Sequence, residues 1–303
     1  MNRARALILL TLMVAMTRWV HGQNSAPAPD APQPVEAQQG SQEDLQKATQ
    51  NPVANLISIP FQNNTDFNIG PFGREKNTLN IQPVVPLSLN ENVNLIVRWI
   101  TPLLFQPDIT QPRLGTVGLG DMNPSFFVVP VKAAALIWGI GPTFLLPTAT
   151  DDTLGTGKFS IGPTAVALAQ PGHWTIGLLA SNAWSVAGPS SRPDVNLFTL
   201  QYFLNYNLAK GWSIGTSPIL TANWNASSGN VWTIPAGLVI AKVFKIGAQS
   251  MNASAGYFYN AVRPDNPPSP KSQLRIQLSL LFPKAPAPKN VEPRKTEEPA
   301  CAN

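Results

Sequence analysis

The feature that most restricts this chain is a period of two that persists, with few interruptions, from residue 51 to residue 282. In 212–224 the even positions are Trp212, Ile214, Thr216, Pro218, Leu220, Ala222 and Trp224. The odd ones are Ser213, Gly215, Ser217, Ile219, Thr221 and Asn223. Successive side chains of a strand point to opposite faces, so such a segment has one apolar and one polar side. Segments 79–88, 93–99, 198–208, 251–260 and 273–282 alternate in the same way, whereas 118–129, 159–169 and 231–243 are blurred.

Alternating segments of about 10–13 residues exceed the usual ~5–6-residue strand of a soluble sheet. They suit a tilted bilayer-spanning strand of ~9–11 residues with short extensions. Tight connections are expected at 90–92, 132–135, 171–173, 209–211 and 244–250. Longer polar ones are expected at 62–77, 106–117, 148–157, 187–194, 225–230 and 263–271. Short periplasmic turns alternating with longer outer loops mark an outer-membrane barrel. The expected fold is therefore all-β: a transmembrane antiparallel up-and-down barrel of about twelve strands, both termini periplasmic. Trp174 and Trp212 follow short turns, and Trp184, Trp224 and Trp232 flank long loops, as two interfacial girdles require. A soluble β-sandwich with core tryptophans is the competing architecture, but it calls for shorter strands and a more charged surface.

Prolines oppose continuous pairing. Pro83, Pro102, Pro142, Pro163, Pro218 and Pro235 fall inside candidate strands, and a closed barrel has no edge on which to place a missing N–H. Ile140-Gly141-Pro142-Thr143 recurs as Ile161-Gly162-Pro163-Thr164 across the loop 148–157. A symmetric hairpin would set Pro142 against Pro163, with bulges or broken ladders there.

Composition supports export. Charged residues make up 12% of the chain, about half the usual share, while hydrophobic residues stay at 44%. Outside the N-terminus no segment supplies the ~20 apolar residues of a spanning helix. Arg3 and Arg5 precede an apolar core at 7–16, so 1–22 reads as a signal peptide cleaved before Gln23. Residues 23–50 read as a periplasmic Pro/Ala-rich linker and a short polar helix at 42–49, with Ser41 as its cap. The barrel is assigned to 51–283 and a disordered Pro/Lys/Glu-rich tail to 284–303. Much of the net charge of +5 lies in the signal and tail, and no Lys/Arg cluster with interleaved aromatics suggests nucleic acid. Cys301, the single cysteine, reads as an incidental tail thiol.

The run Asn51-Pro52-Val53-Ala54-Asn55-Leu56-Ile57-Ser58-Ile59-Pro60-Phe61-Gln62-Asn63-Asn64 resembles the opening of a family of Gram-negative exported proteins. So do Leu79-Asn80-Ile81-Gln82-Pro83, Gly118-Leu119-Gly120-Asp121-Met122-Asn123-Pro124-Ser125, Gly162-Pro163-Thr164-Ala165 and Arg192-Pro193-Asp194-Val195-Asn196. Proteins of that family are labelled transporters or, after a neuropeptide, neuromedin U. They are similar to outer-membrane proteins associated with the meta-pathway of phenol degradation. The resemblance covers roughly 51–284 and implies an outer-membrane barrel; it carries over no catalytic residue and no substrate. The Pro-rich tail departs from the barrel habit of ending on an aromatic.

Little in the sequence points to chemistry. His21 leaves with the signal, and His173 sits in an expected tight turn without an identifiable partner, which disfavours a Ser–His hydrolase. Asp151-Asp152 reads as a solvated loop ahead of a weak Ca²⁺ site, and Gly155-Thr156-Gly157-Lys158 lacks phosphate-loop spacing. No enzyme activity, metal or cofactor is expected. The polar face is the place for function: Asn80, Gln82, Asn94, Arg98, Gln201, Asn205, Asn223, Arg275 and Gln277 should line the lumen, with Asp121 as counter-ion to the two arginines. Barrels of ~8 strands are filled and those of ~16 open, and about twelve falls between. The family label favours a pore: a passive channel for small solutes, anionic or aromatic. A closed structural or adhesion barrel acting through its outer loops is the alternative, and an outer-membrane hydrolase a third. The expected partners are outer-membrane lipid, a small solute and, during insertion, the barrel-assembly machinery.

Overall fold

In the computed structural model, which describes residues 37–111, 114–132 and 135–283, fifteen strand segments form one sheet. Three pairs of segments are single strands with a short break, because both halves of each pair with the same neighbouring strand. Counted so, the sheet has twelve antiparallel strands. They are β1 (Ile57–Ile69), β2 (Arg74–Ile81 and Val84–Ser88), β3 (Val93–Pro107), β4 (Gly115–Leu119 and Asn123–Pro130), β5 (Leu136–Leu145) and β6 (Phe159–Ala169). The others are β7 (Trp174–Ala187), β8 (Asn196–Asn207), β9 (Trp212–Thr216 and Ile219–Asn223), β10 (Trp232–Ile246), β11 (Gln249–Val262) and β12 (Ser272–Phe282). Each strand pairs with its sequence neighbours, and β1 pairs with β12 from Ile57↔Phe282 to Phe67↔Ser272, which closes the barrel. The signal, the linker before residue 37, the tail and Cys301 lie outside the described residues.

The alternation becomes an outside and an inside. Leu238, Ile240, Tyr257, Tyr259, Ile276 and Leu278 are exposed outward. Asn252, Asn260, Arg275 and Ser279, one place along in register, are buried inward. Short connections hold one end of the barrel, down to the two residues Gly247 and Ala248 between β10 and β11, where Gly247 takes a φ of 58° that favours glycine. One expected long loop is absent. β1 continues to Ile69 and β2 begins at Arg74, because Asn63, Thr65 and Asn77 hydrogen-bond one another across the pair and extend the hairpin.

Three of the six prolines lie at breaks or shifts of the ladders. Pro83 and Pro218 occupy the breaks of β2 and β9, and a register shift in β10 falls between Ile234 and Pro235. Pro142 does face Pro163, but the expected interruption is not between them: β5 and β6 pair without a shift from Leu136↔Ala169 to Leu145↔Ser160. Directly opposed residues alternate between pairs that exchange hydrogen bonds and pairs whose N–H groups point to the outer neighbours. Two prolines can oppose each other cheaply only in the second kind, and the loss then falls on the flanking ladders. There β4 and β5 keep only Ser125↔Thr143 and Val128↔Ile140, and β6–β7 pairing skips from Ile161↔Trp184 to Thr164↔Ser181. Gly141 and Gly162 let these flanks close in, since a Cβ on either would land on the carbonyl oxygen of Phe126 or Asn182.

Candidate functional site

The inside of the barrel is built around the N-terminal segment. Helix α1 runs Ala37–Thr49, so Ser41 lies within it and not at its start. Its Leu45 and Ala48, with Ala54 and Leu56, bury against Val243 of β10 and Leu281 of β12. Val53 enters a larger cluster of Ile96, Phe127, Val129, Val166, Leu168, Leu179 and Phe203, contributed by β3, β4, β6, β7 and β8. Amides tether the segment to the short-turn end. Gln42 Nε2 donates to Val243 O (3.2 Å), Gln46 Nε2 to Trp212 O (2.5 Å), and Gln50 Nε2 to Asn207 Oδ1 (2.7 Å). Gln170 Nε2 in turn donates to Lys47 O (2.9 Å). Neutral donors meeting carbonyls bring no charge into this interior.

Above the segment lies a chamber of about 300 Å³, with Thr49, Gln50, Asn51 and Pro52 among its lining. Of the residues expected in the lumen, Asn80, Gln82, Arg98, Gln201, Asn205, Arg275 and Gln277 line it. Arg98 Nη2 donates to Gln82 Oε1 (3.0 Å). Arg275 donates to Asn64 Oδ1 (3.3 Å), Gln273 Oε1 (3.1 Å) and Ser217 O (2.9 Å), and its guanidinium lies 4.5 Å from the Phe258 ring centre. Ser217 O sits at the proline break of β9, so the arginine takes up a carbonyl that the break removes from the ladder. Among the described residues, neither guanidinium is within ion-pairing distance of a carboxylate. The Oδ1 of Asn252 and the Oε1 of Gln50, both buried on chamber-lining residues, have no protein partner there.

Two expected lumen residues are placed elsewhere, while Asn94 points inward opposite Val129 but lies away from the chamber. Asn223 is exposed, and its Oδ1 accepts the Asn225 N–H (3.1 Å) in the loop after β9. Asp121 is no counter-ion to the arginines: its carboxylate accepts from Ala149 N, Thr156 N (2.6 Å) and Thr156 Oγ1 (2.8 Å), fixing the 146–158 loop. Arg192 holds the same loop by donating to Thr156 O (3.1 Å), Asp152 O (2.8 Å) and Gly155 O, and buried Lys158 pairs with Asp194 (3.1 Å). Hydrogen bonds from the Thr153 backbone and hydroxyl hold the Asp151 carboxyl below its usual range. Asp66 and Lys76, opposed across β1 and β2, were not foreseen, because 62–77 read as a loop.

The five tryptophans lie on the outer face at two levels. Near the short turns, Trp174 packs edge-on against Tyr206 (4.9 Å between centres) and Lys242 sits over Trp212 (4.7 Å). Near the long loops, Trp224 and Trp232 meet edge-on (5.5 Å), and Trp184 ends the register between β7 and β8. His173 lies beside Tyr206 at the first level (5.9 Å between rings).

The fold is similar to that of an outer-membrane channel from Pseudomonas putida F1, with a TM-score of 0.58 at 16% identity over 75% of this chain and 94% of that one. Looser matches include the NanC porin, with a TM-score of 0.45 at 10% identity over 75% of this chain and 100% of that one. Outer-membrane phospholipase A from Escherichia coli matches with a TM-score of 0.40 at 13% identity over 76% and 93%. At such identities likeness speaks for fold alone. No protein-family model and no curated protein matches the sequence. The chain is a closed, twelve-stranded antiparallel β-barrel with an apolar outer face, a fold it shares with that outer-membrane channel.

Proposed function

We propose that the protein is a passive outer-membrane channel for small solutes, anionic or aromatic in character, acting by selectivity and not by chemistry. The observation that carries this reading is the chamber itself: the closed barrel encloses a space of about 300 Å³, lined by polar and apolar side chains alike, beside the part that the N-terminal segment fills. Its amides can replace part of a solute's hydration, and its arginines favour negative groups. Phe203, Ile219 and Leu281 on other parts of the wall suit an apolar or aromatic body. The N-terminal segment limits passage to solutes that fit between it and the wall. Purified protein in planar bilayers should give discrete single-channel steps. A folded barrel that never conducts would sink the reading.

A second reading has its own support. Val53, Leu45 and Leu56 fill the short-turn half of the lumen, as a closed barrel working through its outer loops would require. Liposome swelling separates the two, because only a channel admits small sugars or amino acids.

A further inference from the structure

Resting on the channel reading above, we propose that Arg275 and Arg98 are consecutive stations of an anion track down one wall of the chamber. Among the described residues lining that space they are the only charged ones. Each guanidinium donates only to neutral oxygens, so its charge is not cancelled by contact with a carboxylate. A guanidinium has five N–H donors. Arg275 spends three hydrogen bonds on the protein and Arg98 one, which leaves donors for a ligand.

The nearest anionic candidate is already engaged. Gln273 stands between Asp66 and Arg275, donating to Asp66 Oδ1 (2.8 Å) while accepting from Arg275 Nη2 (3.1 Å). Asp66 also faces Lys76 across the β1–β2 pair, so the two offset each other above the chamber. The wall below stays net positive.

Register makes the two arginines successive and not side by side. Arg275 is level with Asn64 of β1, and Arg98 is level with Val84, which pairs with Ser58 six residues further down the same strand. Amide side chains fill the interval: Gln62 Nε2 donates to Asn64 Oδ1 (3.3 Å), and Asn80 and Gln82 follow on β2. A small monovalent anion, halide or carboxylate, can pass from one guanidinium to the next over N–H donors without facing a carboxylate.

Stations in series predict a specific pattern. The full-length protein in planar bilayers, under a potassium chloride gradient, should give a zero-current potential showing preference for the anion. Replacing chloride with acetate should preserve its sign. Because each station limits the whole path, Arg98→Gln or Arg275→Gln alone should lower the anion-to-cation permeability ratio at least about threefold. The double variant should add little. Arg98→Lys and Arg275→Lys should retain the preference. Cation preference in the unsubstituted protein overturns the track and needs no variant that folds. Single glutamine variants that conduct with an unchanged ratio overturn it too, leaving the channel reading intact. Absence of any conductance removes both.

Discussion

Across β11, β12, β1 and β2, and on to Arg98 of β3, polar inward positions predominate, among them Asn252, Ser254, Gln277, Arg275, Asn64, Gln62, Asn80 and Gln82; β3, β4, β6, β7 and β8 also supply an apolar inward cluster of Ile96, Phe127, Val129, Val166, Leu168, Leu179 and Phe203. Both walls belong to one barrel, yet they are stabilised differently. On the polar wall, side chains satisfy one another, as Gln62, Asn64, Arg275 and Gln273 do in one chain of hydrogen bonds. On the apolar wall they need cover, and the cover is Val53 with the residues around it. On the proposed channel reading, the first wall would set selectivity and the second would control access.

The largest expected effect lies in the backbone of the apolar half. Gly162→Val would drive a side chain into Asn182 O where β6 and β7 already lack ladder bonds. The cost should exceed the ~1–3 kcal/mol usual for overpacking, and the variant should yield no heat-modifiable folded band on a gel. A normally folded Gly162→Val would show that the two flanks are loose. Next comes Phe127, whose side chain is 0% exposed. Phe127→Ala should lower unfolding stability in detergent by about 3–5 kcal/mol. Gln277→Ala on the opposite wall should cost far less. Equal losses in a urea titration would erase the distinction between the walls.

That distinction was partly written in the sequence. Alternation was clean where the lumen side is polar, in 251–260 and 273–282, and blurred in 118–129, 159–169 and 231–243. The blurred segments supply Phe127, Val129, Val166, Leu168 and Val243, the residues that α1 and Val53 cover. Blurring therefore marked strands apolar on both faces, one exposed outward and one covered from within, a meaning that emerges only once the covering segment is in place. Two other misplacements have a local cause. Asp121 falls in the break of β4, where parity loses its meaning, and Asn223 ends β9 five residues past Pro218. Asp66 and Lys76 were hidden because a polar hairpin looks like a loop when its cross-strand partners are unknown. Strand number and closure, by contrast, needed only the long period of two and the alternating connections.

Val53 tests whether the apolar wall governs access. Val53→Asp removes about 1.5–3 kcal/mol of apolar burial and sets a charge against the cluster that holds Phe127 and Leu168. Residues 50–56 should leave the cluster while the strands stay paired, because the loss falls on the covering segment and not on the ladders. Single-channel conductance should rise several-fold, with anion preference retained, since Arg98 and Arg275 keep their hydrogen bonds. Unchanged conductance from a folded Val53→Asp barrel would mean that the segment does not limit flow.

The smallest expected effect lies at the outer rim above the apolar wall, where the loop after β7 is tied to the 146–158 loop. Asp194 is held below the usual carboxylate range, first by the hydrogen bond and charge of Lys158 and then by the Ser185 hydroxyl. A depressed carboxyl contributes its stabilisation fully above its unfolded pKa of ~3.9. That contribution is lost as pH falls through the lower folded value. Protection of 188–195 in hydrogen exchange, corrected for intrinsic rates, should therefore be flat from neutral pH down to about 5 and fall only below about 4. Asp194→Asn should lower protection at neutral pH and abolish the acid step, with Arg192 still holding Thr156 O and Asp152 O. Because Asp194 is exposed, high salt should imitate part of the substitution. An acid step that survives in Asp194→Asn would assign it to a different carboxylate, with Asp151, held below the usual range by Thr153, as the next to substitute.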